Sequence, residues 1–346
     1  MIQPPKATPG DAIAVVAPSF AAPAHHPAVH EQAMKRLREL TGLVPREYPS
    51  TRRDSTPRER ARDLNDAFAD PEVRAVVAVL GGDDQITVVP HLDADAVAAD
   101  PKPFCGYSDN TNILNWLWGL GIAGFCGGST QVHLGAGPGI DPCHAASLTA
   151  ALLTGGELAI TDPGESEDLG PDWSTPEALT RFGRREPTEP WTWAGPHHSV
   201  TGRTWGGCVE VIQWILTAGR FPSDPSVLEG GILLLETSEL LIPATEFGWI
   251  LRSLGERGIL GAVDAVLVAR PPASAHERPS TSEGRATHRA AQRDIAIDII
   301  SAYNPEAVVV VGIPFGHTRP QWILPHGGFM TIDATTRRVT ADYGAS

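Results

Sequence analysis

A doubly wound, mostly parallel α/β sheet followed by a smaller β-rich carboxyl-terminal domain is the fold class predicted by three features of this 346-residue chain. The first 130 residues alternate short apolar runs with helix-spaced segments, the order that builds parallel sheets covered by helices. Several of those runs are continuous, as strands buried on both faces require. The length also exceeds the roughly 250 to 300 residues that one core usually fills, which predicts two domains.

In chain order, Ala12 to Val16 reads as a strand ending at Pro18-Ser19, and His30 to Leu40 as a helix stopped by Gly42. Thr56-Pro57-Arg58-Glu59 is a capping-box start for a helix reaching about Asp70. The valine-rich run Val73 to Leu80 is a buried strand that meets Gly81-Gly82, and Pro103 to Tyr107 is a short strand before a helix from Asn110 to Leu120. From Gly155 to Ser199 no apolar period persists, so this stretch reads as a linker or surface excursion. Beyond it, Gly206 to Thr217 reads as helix, Ile232 to Leu235 as strand, Ala244 to Leu254 as helix and Ala262 to Ala269 as strand. Pro271 to Gly284 reads as an exposed loop, Arg289 to Tyr303 as helix, Val308 to Val311 as strand and Phe329 to Tyr343 as a terminal hairpin. The expected domains are 1–160, with a linker or insertion at 161–200, and 201–346.

Composition excludes several classes. With 42% hydrophobic residues, 20% charged residues and nine Trp, the chain can bury a large core and is not disordered or fibrous. A net charge of −14 repels a phosphate backbone, so nucleic acid is not an expected partner. The amino terminus lacks a secretory pattern and no stretch approaches the roughly 18 apolar residues of a membrane span, which predicts a cytoplasmic protein with no membrane partner. Cys105, Cys126, Cys143 and Cys208 are too irregularly spaced for a disulfide framework or structural zinc, so neither metal nor organic cofactor is expected.

Ligands of open parallel sheets gather beyond the carboxyl ends of the strands, so the residues after apolar runs carry the functional argument. Ser108, in Gly106-Tyr107-Ser108-Asp109, stands between a strand and a helix. A strand-to-helix elbow exposes a serine hydroxyl and aims the following amide at the same point. Asn110 replaces the second glycine of the usual elbow, and the plain alternative is that Ser108 only caps the helix. Gly82 could supply a second oxyanion donor, or merely turn the chain. Glu236 closes the run Ile232 to Leu235, where an unpartnered charge would be costly; Glu239 competes for its role. His317, in Pro314-Phe315-Gly316-His317, is the candidate base, with His133, His197, His198 and His326 as rivals. The order Ser108, Glu236, His317 is the serine, acid, histidine order of the α/β-hydrolases and predicts an active site at the domain interface.

With these residues in place, the chain resembles the LD-carboxypeptidases, the serine peptidase family that includes the microcin C self-immunity proteins. The resemblance rests on Pro9-Gly10-Asp11, Ala17-Pro18-Ser19, Arg60 to Asn65, Phe68 to Pro71, Gly81-Gly82, Gly106 to Asp109, Leu235-Glu236 and Pro314 to Thr318. It implies Ser108 as nucleophile, His317 as general base, Glu236 as the acid orienting it, and the amides of Gly82 and Asp109 as the oxyanion hole. It also implies a homodimer acting on a small peptide or peptidyl-nucleotide. Leu80-Gly81-Gly82-Asp83-Asp84 and the tryptophan-bearing insertion look more like the immunity branch, which implies that Trp191 or Trp193 stacks on a nucleobase. The plain alternative is that both tryptophans pack the insertion onto the domain. Cys208 stands where that branch carries a substrate-contacting asparagine, and Leu240 where it carries a lysine. The leading expectation is a serine carboxypeptidase acting on peptidyl-nucleotides. The alternatives are an LD-carboxypeptidase releasing D-alanine from muropeptide tetrapeptides and a catalytically silent binding protein on the same scaffold.

Overall fold

The computed structural model describes residues 1–345. In chain order its strands are β1 (Ala12–Val16), β2 (Val44–Glu47), β3 (Val73–Ala78), β4 (Phe104–Gly106), β5 (Gly124–Cys126), β6 (Glu157–Ile160), β7 (Glu165–Ser166) and β8 (Glu186–Pro187). They continue as β9 (Thr192–Ala194), β10 (Ser199–Cys208), β11 (Gly231–Glu236), β12 (Val263–Ala269), β13 (Val308–Ile313), β14 (Leu324–His326), β15 (Phe329–Asp333) and β16 (Arg338–Asp342).

The first sheet has the order β14-β5-β4-β3-β1-β2, parallel from β5 to β2. Strand order reverses between β1 and β3, a topological switch point whose carboxyl side forms a crevice. The helices Pro27–Thr41 and Pro57–Ala69 begin and end as their sequence signals require. Gly42 closes the first in the left-handed conformation, and Thr56 and Glu59 form a full capping box on the second.

The second sheet, β6-β16-β15-β10-β11-β12-β13-β9, is parallel from β10 to β13 and antiparallel toward both edges. Its central strands are buried on both faces, and their side chains divide with the period of two that a strand imposes. Ile232, Leu234, Val308 and Val310 join the core shared with the first sheet. Leu233, Leu235, Val309 and Val311 join a second core under the helices Val209–Thr217, Ala244–Glu256 and Ser282–Tyr303. The molecule is therefore a mostly parallel amino-terminal α/β sheet joined to a separate, β-rich carboxyl-terminal domain. The chain then returns from β13 in the second sheet to β14 at the edge of the first, carrying His317 across the junction.

Three local expectations are corrected. The stretch from Gly155 to Ser199 contains β6, which pairs with β16, and β9, which pairs with β13. These short strands close both edges of the second sheet through backbone bonds and leave no long apolar period to detect. Gly206 to Cys208 are not helical; they end β10 beside β11, and the helix starts at Val209. The segment from Pro271 to Gly284 is not wholly exposed, because Pro271 to Ala275 are buried while His276 to Pro279 and Thr281 to Glu283 stand out. Asp168 accepts from the Ala273 amide at 3.0 Å and Arg289 Nε donates to the Pro271 carbonyl at 3.2 Å, which fastens that arm down. No helix among the described residues is long and apolar enough to cross a membrane.

Candidate active site

Ser108 has φ of +62°, the left-handed region that a non-glycine residue enters at a cost of about 1 to 2 kcal/mol. It opens a short turn, Ser108–Asn110, that feeds the helix Thr111–Gly119. Asn110, at the position where a glycine is usual, is held by donating to the carbonyls of Leu80 at 3.1 Å and Tyr107 at 3.0 Å and by accepting from Gln85 Nε2 at 2.8 Å. A side chain at Gly106 would meet its Cβ at 2.8 Å, so the space Asn110 needs is made by the glycine beneath it.

The turn after β3 lies directly against this elbow. A Cβ at Gly81 would stand 2.8 Å from Ser108 Oγ, and one at Gly82 would stand 2.1 Å from Ser19 Oγ. Only glycines allow the two loops to close this far. Asp109 fastens them together: its buried carboxylate accepts from Ser19 Oγ at 2.5 Å, from the Gln85 amide at 2.9 Å and from Asn112 Nδ2 at 2.9 Å. Burial pushes the Asp109 carboxyl up against those hydrogen bonds.

Glu236 ends β11 with its side chain fully enclosed, and its Oε2 accepts from His317 Nδ1 at 2.5 Å. Its Oε1 has no hydrogen-bond partner. Burial pushes this carboxyl up even against the pull of the imidazole, while His317 is driven down by burial but held well above its usual value by Glu236 and Glu239. A Cβ at Gly316 would lie 2.7 Å from Glu236 Oε2, so the residue before the histidine must be this small for the contact to form. The Tyr107 ring meets the imidazole edge-on at 5.0 Å between centroids. The other ring nitrogen, His317 Nε2, faces Glu239 Oε2 at 3.1 Å.

Ser108, Gly82 and His317 line one cavity of about 650 Å³, together with Phe20 and Trp173. Ser108 and His317 thus line the same cavity, and Glu236, bonded to His317 Nδ1, stands just behind its wall. Of the rival histidines, His197 and His198 are exposed and His326 is buried in β14. His133 also lines the cavity, beside Tyr107, with its ring stacked on His144 at 4.4 Å. Among the described residues, no group of three His, Cys, Asp or Glu side chains is placed to hold a metal ion.

The expected substrate contacts are not brought to the cavity. Trp191 and Trp193 are half-buried against the core shared by the sheets, the latter within β9 opposite Val310, because pairing of that edge strand turns them onto the sheet. Cys208 is buried beside Glu236 in the strand register, with its thiol donating to Glu210 Oε2 at 3.2 Å. The tryptophan that lines the cavity, among the described residues, is instead Trp173 of the same insertion. It follows Pro171-Asp172, a turn signal that singles it out from the tryptophans nearer β9. Ser19 and Tyr107 were also not selected from the sequence; their positions directly after β1 and β4, beside the switch point, were the available signal.

The chain is similar to known proteins in sequence and in fold. Residues 13–127 match the LD-carboxypeptidase N-terminal domain and residues 201–332 the LD-carboxypeptidase C-terminal domain. A protein of Vibrio cholerae that carries a provisional carboxypeptidase name is 27% identical over 94% of this chain and 92% of its own. The microcin C7 self-immunity protein MccF of Escherichia coli is 24% identical over 83% of this chain and 79% of its own. Among solved structures, MccF in complex with glutamyl sulfamoyl guanosine superposes with a TM-score of 0.83 at 19% identity, covering 99% of this chain and 98% of that one. An MccF-like protein from Streptococcus pneumoniae in complex with AMP gives a TM-score of 0.83 at 24% identity, over 96% and 99% of the two chains.

Proposed function

Because the chain belongs to the LD-carboxypeptidase family of peptidases, we propose that it is a serine carboxypeptidase or amidase that cleaves an amide bond near a carboxyl terminus, on peptidyl-nucleotide substrates. Ser108 Oγ attacks the scissile carbonyl carbon while His317 Nε2 takes its proton. Glu236 holds the imidazole through Nδ1 and so presents the correct nitrogen. The amides of Gly82 and Asp109 receive the negative charge that develops on the carbonyl oxygen. As the C–N bond breaks, His317 returns the proton to the leaving nitrogen, and water then releases the acyl group from Ser108 by the same steps in reverse.

The observation that carries this reading is a His317–Glu236 pair opening on the same cavity as a serine in the left-handed conformation. Trp173 at the cavity wall offers a face for a nucleobase, and the solved relatives bind a sulfamoyl nucleoside and AMP. The family resemblance extends the reading to a cytoplasmic homodimer. Purified protein incubated with an aminoacyl-sulfamoyl adenosine and with a muropeptide tetrapeptide, followed by mass spectrometry, tests it. Cleavage of the nucleoside compound that disappears in Ser108→Ala is expected; cleavage that survives the substitution refutes the assignment.

One observation favours the muropeptide as a second reading. Leu240, exposed in the loop after β11, offers no charge to a phosphate-like group. Release of D-alanine from the tetrapeptide, with the nucleoside compound left intact, would select that reading.

A further inference from the structure

His317 Nε2 must receive the Ser108 proton if the proposed mechanism holds, yet in this structure that nitrogen is engaged by Glu239 at 3.1 Å while Nδ1 is engaged by Glu236. A carboxylate beside each ring nitrogen favours the imidazolium form, which has no lone pair to accept a proton. The resting arrangement is therefore a blocked one.

The blocking group differs from Glu236 in its freedom. The Glu239 side chain is 66% exposed, whereas that of Glu236 is fully enclosed. The residue before it is anchored: Ser238 donates to Glu210 from its amide at 3.0 Å and from its hydroxyl at 2.8 Å. The chain after it turns through Leu241 at φ of +50°. Glu239 thus extends into the cavity lining from a fixed point, with an exposed side chain.

What would move it is read from the charges of the cavity. Asp172 and Glu277 line it beside Glu239, and neither forms a salt bridge among the described residues. Arg319 is the one Lys or Arg in the lining among the described residues, and its guanidinium is committed. Nε donates to Asp141 at 2.6 Å, NH1 to the carbonyls of Val132 and Ala136 at 2.9 Å, and NH2 to the Gly139 carbonyl at 3.0 Å. Among the described residues the cavity offers carboxylates to a ligand and no uncommitted Lys or Arg, so it favours a ligand group that is positively charged.

Resting on the serine-hydrolase reading, we propose that Glu239 latches His317 Nε2 in the free enzyme and that a protonated amino group on the acyl side of the scissile amide draws it away. A free amino group near the reacting carbonyl is then both the specificity determinant and the release signal. As the ammonium takes Glu239, the imidazolium loses its stabilising carboxylate and gains a like charge beside it. Its Nε2 proton passes to water, and the neutral ring can accept the proton from Ser108 as Oγ bonds to the carbonyl carbon. The groups that face the imidazole and set this balance are Glu236 from β11, Glu239 from the loop after it, Tyr107 from the elbow, His133 from the turn Thr130–Gly135, and Arg319 on its own segment.

Two measurements on the full chain test the latch. The first compares kcat/KM for an aminoacyl-sulfamoyl adenosine and a muropeptide tetrapeptide, each with its amino group nearest the scissile bond free or acetylated. Wild type should prefer the free amine by about 10- to 100-fold, the range of one charge-assisted hydrogen bond. In Glu239→Gln the preference should shrink to within about threefold, and the rising limb of the pH profile should move to lower pH. The second follows the ¹⁵N-imidazole resonances of His317 through a pH titration without substrate, and Glu239→Gln should lower its midpoint. Unchanged discrimination, or an unchanged midpoint, overturns the proposal. Because the titration needs no turnover, a wild type that cleaves none of the four compounds sinks the proposed function while the His317 resonance still judges the latch.

Discussion

The two walls of the cavity hold their functional groups by opposite means. On the first-sheet wall the device is backbone shape: Ser108 at φ of +62°, with Gly81 and Gly82 pressed against Ser108 and Ser19, and an Asp109 carboxylate consumed in tying loops together. On the second-sheet wall the device is buried charge: Glu236, enclosed at a strand end, pulls on His317, and Glu239 pulls from the other side. Geometry on one side is specified by atoms that are missing, and electrostatics on the other by atoms that are costly to bury. Substitutions should therefore fail differently on the two walls.

The largest effect is expected on the charged wall. Glu236→Gln keeps the shape but presents the wrong partner to Nδ1, and kcat should fall by about 10⁴-fold, as when a triad acid is replaced by its amide; steady-state kinetics with a loss below about tenfold would break the contrast. Gly82→Ala attacks the shaped wall. Its Cβ would fall 2.1 Å from Ser19 Oγ, displacing a proposed oxyanion donor, and kcat should drop by about 10²- to 10³-fold. Adding Ser19→Gly removes the clash and should recover part of that loss, whereas no such relief is available to Glu236→Gln.

A smaller effect distinguishes the walls by pH. The folded-state pKa of His317 is raised above its unfolded value near 6.5. Its contribution to stability is complete below about pH 6.5 and is lost as pH rises through the folded-state value. Thermal midpoints should fall over that window in wild type and fall less in His317→Gln, while activity, which needs the neutral ring, rises over the same window. Equal pH dependence in both proteins would contradict this. The smallest effect belongs to the shaped wall: Ser108→Gly relieves the left-handed conformation and should stabilise by about 1 kcal/mol in denaturant titrations, with turnover lost. A destabilised glycine variant would show that the elbow is not strained.

How legible each wall was follows from the same contrast. β1 and β13 are continuous apolar runs, β11 is apolar up to Glu236 and β3 is broken only by Arg74, so the strand ends at Gly82, Glu236 and His317 stand out in the sequence, while Ser108 follows the short β4. β6, β9 and β14 are three or four residues long and are held by backbone pairing to neighbours far away in the chain, so no local pattern announced them. The insertion tryptophans were misplaced for a related reason. Which of Trp173, Trp191 and Trp193 faces the cavity depends on the pairing of β9 with β13, a contact that no window of sequence contains. The Glu239 contact to Nε2 was equally hidden, because Glu236 and Glu239 differ only in where the strand ends.

The central claim is that a serine from the first sheet and a histidine from the second act as one catalytic unit. A double-substitution cycle of Ser108→Ala and His317→Ala, read as kcat/KM on whichever substrate wild type cleaves, tests it most directly. Groups acting together lose their whole effect when either is removed, so the double variant should be within about threefold of the worse single one. Losses that multiply would contradict the account, placing the two side chains in separate roles.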